Sequence, residues 1–303
     1  MTVWRLQTRT SGDGQVAQYC LKNEIAVVGW GVSNGADESI AEFADYLRLA
    51  KSKYPKGVSS VKGLYSIQPG DLIWMRDHGK YYIGMVGEGT KWQYNNSDEA
   101  AKHDAYNQIT NVHWVSSPYA DESIAGMVTT SFIRGQALQK IHKDGIKQYS
   151  RMTYNIWSNE NIFDEKALRF SGEDKIKCFY NLLTTMECED LVAFYLYSKK
   201  GYIGILSTNK LSTPLYEFVM LDPLDANKRI YIQVKKGNVD IDAEDFQELN
   251  GEVYVFTSEG KIINTDKKDL HIITPTELYD YAVSKNAVLS EGIKMWLKVL
   301  RAG

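Results

Sequence analysis

Cysteine, histidine and proline are scarce: the 303 residues hold 3 Cys, 5 His and 6 Pro. Cys20, Cys178 and Cys188 lie far apart with no Cys-x-x-Cys pair, which excludes a disulfide scaffold or a zinc finger and suits reduced thiols used for packing. His78, His103, His113, His142 and His271 show no metal-ligand spacing and no pairing with a nucleophile. Apolar runs such as residues 25–32 (IAVVGWGV) fall far short of the roughly 20 residues a membrane span needs, and MTVWRLQTRT has no signal-peptide core. A cytoplasmic protein with no membrane partner is expected. Net charge is only −3, so a nucleic acid would have to be gripped by local patches rather than by a global basic field. The run Gly29-x-Gly31-x-x-x-Gly35 is not GxGxxG, and no βαβ series follows it, which excludes a dinucleotide fold.

What is present is the composition of a globular protein, 44% apolar and 24% charged, long enough for two domains. Trp4, Trp30, Trp74, Trp92 and Trp114 all fall in the first 114 residues, among short strands and turns. VWRLQT alternates, and ESIAEFADYLRLAKSKY has helical spacing with Asp37 and Glu38 near its start. Leu72–Met75 and Tyr81–Val86 read as strands joined by a turn at Asp77-His78-Gly79, where Gly79 accepts positive φ. These signals predict a small mixed β-barrel over 1–150, closed by residues 127–141. Residues 142–172 are polar and weakly periodic, which places a boundary near 150–158.

From 158 to 303 the grammar becomes helix, strand, strand, helix: an α/β domain. ECEDLVAFYLYSKKGY is apolar almost all round over 191–197 and reads as a buried helix; Thr276 and Ser290 stand where N-caps belong. LYEFVML and RIYIQVK flank DPLDAN, so they should form a hairpin centred near Asp225. That register sets Glu217 opposite Gln233, with Lys235 two residues on and on the same face. A carboxylate, an amide oxygen and an ammonium then converge. Mg²⁺ or Mn²⁺ takes hard oxygen ligands, which Glu217 and Gln233 supply, and Lys235 would steady the charge that develops in phosphodiester hydrolysis. Glu189 shares a helical side with Ala193 and Leu196 and offers a further acid at the core's edge. Glu187 and Asp190 read as helix N-terminal charges.

The order Glu189-x-Leu-Val, then KKGY, an acid on one strand and Gln-x-Lys on the next resembles the Mrr-type branch of the PD-(D/E)xK nucleases over roughly residues 170–300. The resemblance implies a restriction-endonuclease-like fold, with Glu189, Glu217, Gln233 and Lys235 as the catalytic set and Glu217, Gln233 and Glu189 around the metal. The family's strand acid is normally Asp; here it is Glu217, with Asp222 as the fallback ligand.

VVGWGV, GDLIWMRDHGKYYIGMV and KWQYNN resemble the PUA-like superfamily that includes EVE domains, over roughly residues 1–140. The resemblance implies a β-barrel that reads modified or flipped bases. Such a base needs flat apolar walls and a few polar groups at its edge. Trp30, Trp74, Tyr82, Trp92 and Trp114 are candidates for the walls; Asp71, Arg76, Asp104 and Asn107 for the edge. Trp30 stands first, because Gly29 and Gly31 would let a ligand approach the backbone. Together the two resemblances imply a type IV restriction-like, modification-dependent DNA endonuclease, expected as a homodimer on double-stranded DNA. The rivals are a nuclease for RNA or unmodified DNA, and a non-catalytic binder of modified nucleic acid.

Overall fold

The computed structural model describes residues 1–8, 13–32, 40–117, 124–133, 135–143, 145–164, 175–210, 213 and 215–301. The chain divides into two compact units, Met1–Lys166 and Ala167–Gly303. Both mix helices with sheets.

In the first unit the order is β1 (Val3–Gln7), α1 (Val16–Asn23), β2 (Ala26–Val28), α2 (Phe43–Lys53), α3 (Ser59–Tyr65), β3 (Leu72–Asp77) and β4 (Lys80–Val86). There follow β5 (Trp92–Tyr94), α4 (Asp98–Lys102), β6 (Asn107–Ile109), β7 (Val112–Ser116), α5 (Gly126–Ser131), β8 (Leu138–Lys140) and α6 (Ile146–Ser158). One sheet runs β7-β4-β3-β1-β8 and a second runs β2-β6-β5. Leu6, Ile73 and Met75 belong to one buried cluster with Val16, Val28, Tyr46 and Leu64. The hairpin between β3 and β4 turns on His78 and Gly79, both at positive φ (46° and 81°), with Asp77 paired to Lys80. Two such residues in succession match the strands' right-handed twist.

The expected barrel is not closed among the described residues. Closure needs every edge strand to find a partner, whereas the eight strands form two separate sheets, the smaller built from strands of three residues each. Residues 146–158, within the stretch read as polar and weakly periodic, form α6. Apolar side chains account for the helix: Ile146, Tyr149 and Tyr154 are buried with Ser150 and Thr153. The expected helix near residue 40 starts at Phe43; Asp37 and Glu38 lie outside the described residues.

The second unit runs α7 (Lys175–Leu182), α8 (Thr185–Lys200), β9 (Ile203–Gly204), a 3-10 turn (Leu206–Lys210), β10 (Phe218–Asp222) and β11 (Asp225–Lys235). It continues through β12 (Ile241–Asp242), a 3-10 turn (Ala243–Phe246), β13 (Glu252–Thr257), β14 (Ile262–Ile263), β15 (Leu270–Ile273), α9 (Pro275–Val283) and α10 (Glu291–Arg301). Its larger sheet is ordered β15-β13-β11-β10-β9, with β15, β13 and β11 parallel and β10 and β9 antiparallel, and β12 pairs with β14 in a second. Ile230, Ile232 and Val234 on one face of β11 are wholly buried, and Phe256 on the same side meets the Tyr180 ring of α7. The other face packs Val253 and Val255 against Ile241, Ala243 and Phe246. The N-cap of α9 is Thr274, with Pro275 as first helical residue, not Thr276. At α10, Ser290 Oγ accepts from the Ile293 N–H (3.4 Å).

Candidate active site

Helix α8 is fixed at both ends by its sequence. Thr184 and Glu187 form a reciprocal capping box, and Gly201 ends the helix at φ 74° just after Lys199 and Lys200. Glu187 is therefore a buried cap rather than a loose N-terminal charge. The buried stripe is Glu187, Cys188, Leu191, Val192 and Leu196. The helix is not buried all round: Phe194 and Tyr195 are only half-buried and Tyr197 is 56% exposed. Residues 189, 190, 193, 194 and 197 make a second face, which looks into a cavity of about 470 Å³ bounded across from it by Tyr202, Ile203, Phe218 and Met220.

The hairpin supplies the other acid. Pairs from Phe218↔Ile232 to Leu221↔Arg229 are all symmetric about residue 225, as expected. The chain itself turns earlier, because Asp222 faces Asp225 and Ala226–Lys228 bulge out of β11. At the other end the ladder stops at Phe218, and the Glu217 N–H donates to the Ile232 carbonyl (2.8 Å), so the expected direct Glu217–Gln233 pair is not formed. Glu217 instead reaches Lys235: Nζ donates to Oε1 at 2.9 Å, with 27% of the Glu217 side chain and 31% of the Lys235 side chain exposed. Gln233 lies on Lys235's side of β11, two residues back, and is buried. Lys236 points the other way and donates to the Asn181 and Leu183 carbonyls at the end of α7, which leaves Lys235 as the strand's cation at Glu217.

Glu189 completes the group. Burial, then the charges of Glu217 and Asp190, push its carboxyl up to about 7, while Lys235 pulls it down. Two carboxylates and an ammonium thus feel one another at the end of β11. Asp222 is elsewhere, 3.7 Å from Lys228 at the hairpin's far end, and is no substitute for Glu217. Among the described residues no three His, Cys, Asp or Glu side chains gather as a metal cluster. By donor chemistry the set of Glu189, Glu217 and the Gln233 amide oxygen still suits a hard divalent cation, whose charge would offset the burial and the neighbouring carboxylates that raise Glu189.

The candidate reader residues of the first unit are dispersed. Trp74 is wholly buried beneath α6: its Nε1 donates to Ser150 Oγ (2.9 Å), and its ring meets Trp157 edge-on and Tyr149 stacked. Asp71 is buried and accepts from the Thr2 N–H (2.6 Å), Trp4 Nε1 (3.0 Å) and the Gln68 N–H (3.3 Å). Both therefore bond within the unit, away from its surface. Trp114 donates Nε1 to the Ile25 carbonyl (3.0 Å) and packs over Gly84, and Tyr82 is buried with Lys80 Nζ 5.4 Å from its ring centre. Arg76 lies over the Tyr81 ring at a separate cleft of about 480 Å³ shared with Gln7, Thr8, Asp77 and His78.

Trp30, Trp92, Asp104 and Asn107 do form one neighbourhood. Trp30 sits at φ 64°, and its carbonyl accepts from Tyr46 OH (3.0 Å); the Tyr46 ring lies 5.9 Å from that of Trp92. Asn107 Nδ2 donates to the Gly29 carbonyl (2.7 Å). The glycines serve a different end from the one expected. A Cβ on Gly29 would meet the Asp104 carboxylate at 2.6 Å, and one on Gly31 the Tyr106 ring at 2.6 Å, so the chain's own side chains already fill that approach.

Sequence reasoning missed Phe194 and Tyr197 beside Glu189, and Phe43 and Tyr65 beside Trp92. The spacing Asp190-Phe194-Tyr197, at i, i+4 and i+7, was the available signal for the first pair. Among the described residues no helix is long and apolar enough to cross a membrane. No curated protein and no solved structure gives a significant match to the chain. Residues 4–141, within the first unit, match the family model described as "Domain of unknown function (DUF8426)".

Proposed function

We infer that the second unit is a divalent-metal-dependent phosphodiesterase acting on nucleic acid, with Glu189, Glu217, Gln233 and Lys235 as its working residues. The observation that carries this reading is the Lys235 Nζ–Glu217 Oε1 contact of 2.9 Å beside a Glu189 carboxyl pushed up by burial and by Glu217. Like charges held together at a partly open sheet end are unfavourable for folding and useful for gathering a cation, which in turn attracts phosphate.

Glu189, Glu217 and the Gln233 amide oxygen would hold Mg²⁺ or Mn²⁺, which when bound supplies positive charge against the phosphoryl oxygens and a more acidic water. Lys235 places its ammonium where charge develops on the phosphate in the transition state, and Glu217 fixes the ammonium's position through their hydrogen bond. Gln233 is buried two residues before Lys235 on the same strand face.

The combination supported by both resemblances is a restriction-endonuclease-like unit joined to a PUA/EVE-like reader: a modification-dependent, type IV restriction-like DNA endonuclease. Of its candidate base-reading residues, Trp30, Trp92, Asp104 and Asn107 lie in one neighbourhood. Cutting both strands requires two such sites, hence a homodimer on double-stranded DNA.

The test is cleavage of plasmids carrying different cytosine and adenine modifications, with Mg²⁺ or Mn²⁺. Wild type is expected to cut a modified plasmid, and Lys235→Ala to lower the rate by about 10²–10³-fold while keeping its circular dichroism and Tm. A wild type inert on every modified and unmodified DNA and RNA would remove the reading.

A further inference from the structure

Beside the charged group, and sharing Glu189 with it, lies the cavity between α8 and the β9–β10 edge. We propose that it takes one unstacked nucleobase of the bound strand, so that the nucleotide next to the cut is single-stranded or flipped. The proposal rests on reading the second unit as a nucleic-acid enzyme.

Three properties select the occupant. The walls are flat and apolar: Phe194 and Tyr197 face Tyr202, Phe218 and Met220. The volume, about 470 Å³, suits a base with part of its sugar. The rim carries Glu189 and Asp190 together with Asn209. Carboxylates there repel a phosphate, so the backbone must stay on the Lys235 side, and they accept hydrogen bonds from the amino groups on base edges. A second copy of this chain is a poorer occupant. Closing a protein surface over two carboxylates that gain no cation leaves buried charge uncompensated, whereas a base edge brings donors with it. The exposure of Tyr197 (56%) and Ile203 (55%) fits a surface covered only when the strand is bound.

A base stacked on aromatic side chains contributes strongly to single-strand binding whatever its identity. Tyr197 is exposed, so Tyr197→Ala leaves the fold intact; Phe194→Ala is the second variant. Binding of a fluorescein-labelled single-stranded oligodeoxynucleotide to the full chain, followed by anisotropy without divalent metal, requires no cleavage. The expected result is about tenfold weaker binding for either variant. An oligomer of the same length with abasic sugars throughout is expected to bind wild type and variants alike. Equal affinity of wild type and variants for the base-bearing strand overturns the proposal, as does an equal loss on both oligomers, no binding by wild type, or a Tyr197→Ala change in sedimentation showing that the face covers a second copy. If wild type cleaves DNA and Tyr197→Ala does so with unchanged kcat/KM and affinity, the base subsite fails and the nuclease reading stands. Base-dependent binding with no cleavage has the reverse meaning.

Discussion

The two clusters singled out in the sequence are built on opposite principles. In the first unit, polar atoms that are candidates for a base pocket have internal partners: Asp71 takes three donors, and the indoles of Trp74 and Trp114 each reach an oxygen within the unit. In the second, the charge of Glu217 disturbs the ionisation of Glu189, and the Lys235 ammonium of β11 bonds Glu217. Satisfied polar groups contribute stability; crowded like charges subtract from it and gather at functional sites, where a ligand can balance them. The contrast separates structural from functional candidates better than residue type does, since tryptophan and carboxylate occur on both sides of it.

Removing members of the satisfied set should hurt most. Trp74→Ala is expected to destabilise the first unit by about 3–5 kcal/mol, through the cavity it leaves and the lost bond to Ser150, read as a fall in the urea midpoint. Next comes Asp71→Ala, which strands Trp4 Nε1 and two backbone N–H groups, with an expected loss of about 2–3 kcal/mol. Either variant at wild-type stability would break the comparison.

These two cases also mark what the sequence could and could not reveal. Alternation and turn chemistry were enough for β1, for the β3–β4 hairpin with its His78-Gly79 turn, and for the symmetric register about residue 225, because each is dictated within a few residues. The pairing of β1 with β3, and two of the three partners of Asp71, join residues 67 to 69 apart and leave no local trace. Glu217 and Lys235 were legible as neighbours since one hairpin brings them together. Their direct contact was not, because it depends on the ladder stopping at Phe218. The cavity on α8 was hidden by composition: residues 191–197 are apolar, and apolarity alone does not say which side faces the core.

Smaller effects sharpen the comparison within the second unit. Burial pushes the Glu252 carboxyl up, yet the bond from Lys228 Nζ (2.6 Å) and the charges of Lys228 and His271 outweigh it and hold the pKa below its ordinary value. A depressed carboxylate stabilises above its unfolded pKa, and the benefit disappears as pH falls through the folded one. Glu252→Gln should therefore lower Tm by about 2–4 °C at pH 7, with the gap from wild type closing below pH 4.5 in a calorimetric series. Glu189 has the opposite sign. Its folded pKa is raised to about 7, so its contribution is favourable below the unfolded value near 4.5 and is lost as pH rises through 7. Glu189→Gln should raise Tm by about 1–2 °C at pH 8 and change nothing at pH 4. A destabilised Glu189→Gln at pH 8 would place Glu189 among the satisfied groups.

Smallest in expected effect is thiol reactivity, where burial holds Cys20 and Cys188 up at about 12. Neither should react with a maleimide in the folded protein, and both should do so in urea.

The most direct measurement is Mn²⁺ binding by electron paramagnetic resonance, with calorimetry for Mg²⁺, on wild type, Glu189→Gln, Glu217→Gln and Asp222→Asn. Wild type and Asp222→Asn should bind alike, and the two glutamate variants should lose at least about tenfold in affinity. A wild type that binds neither ion, or glutamate variants that bind as wild type does, would contradict a cation site at the end of β11.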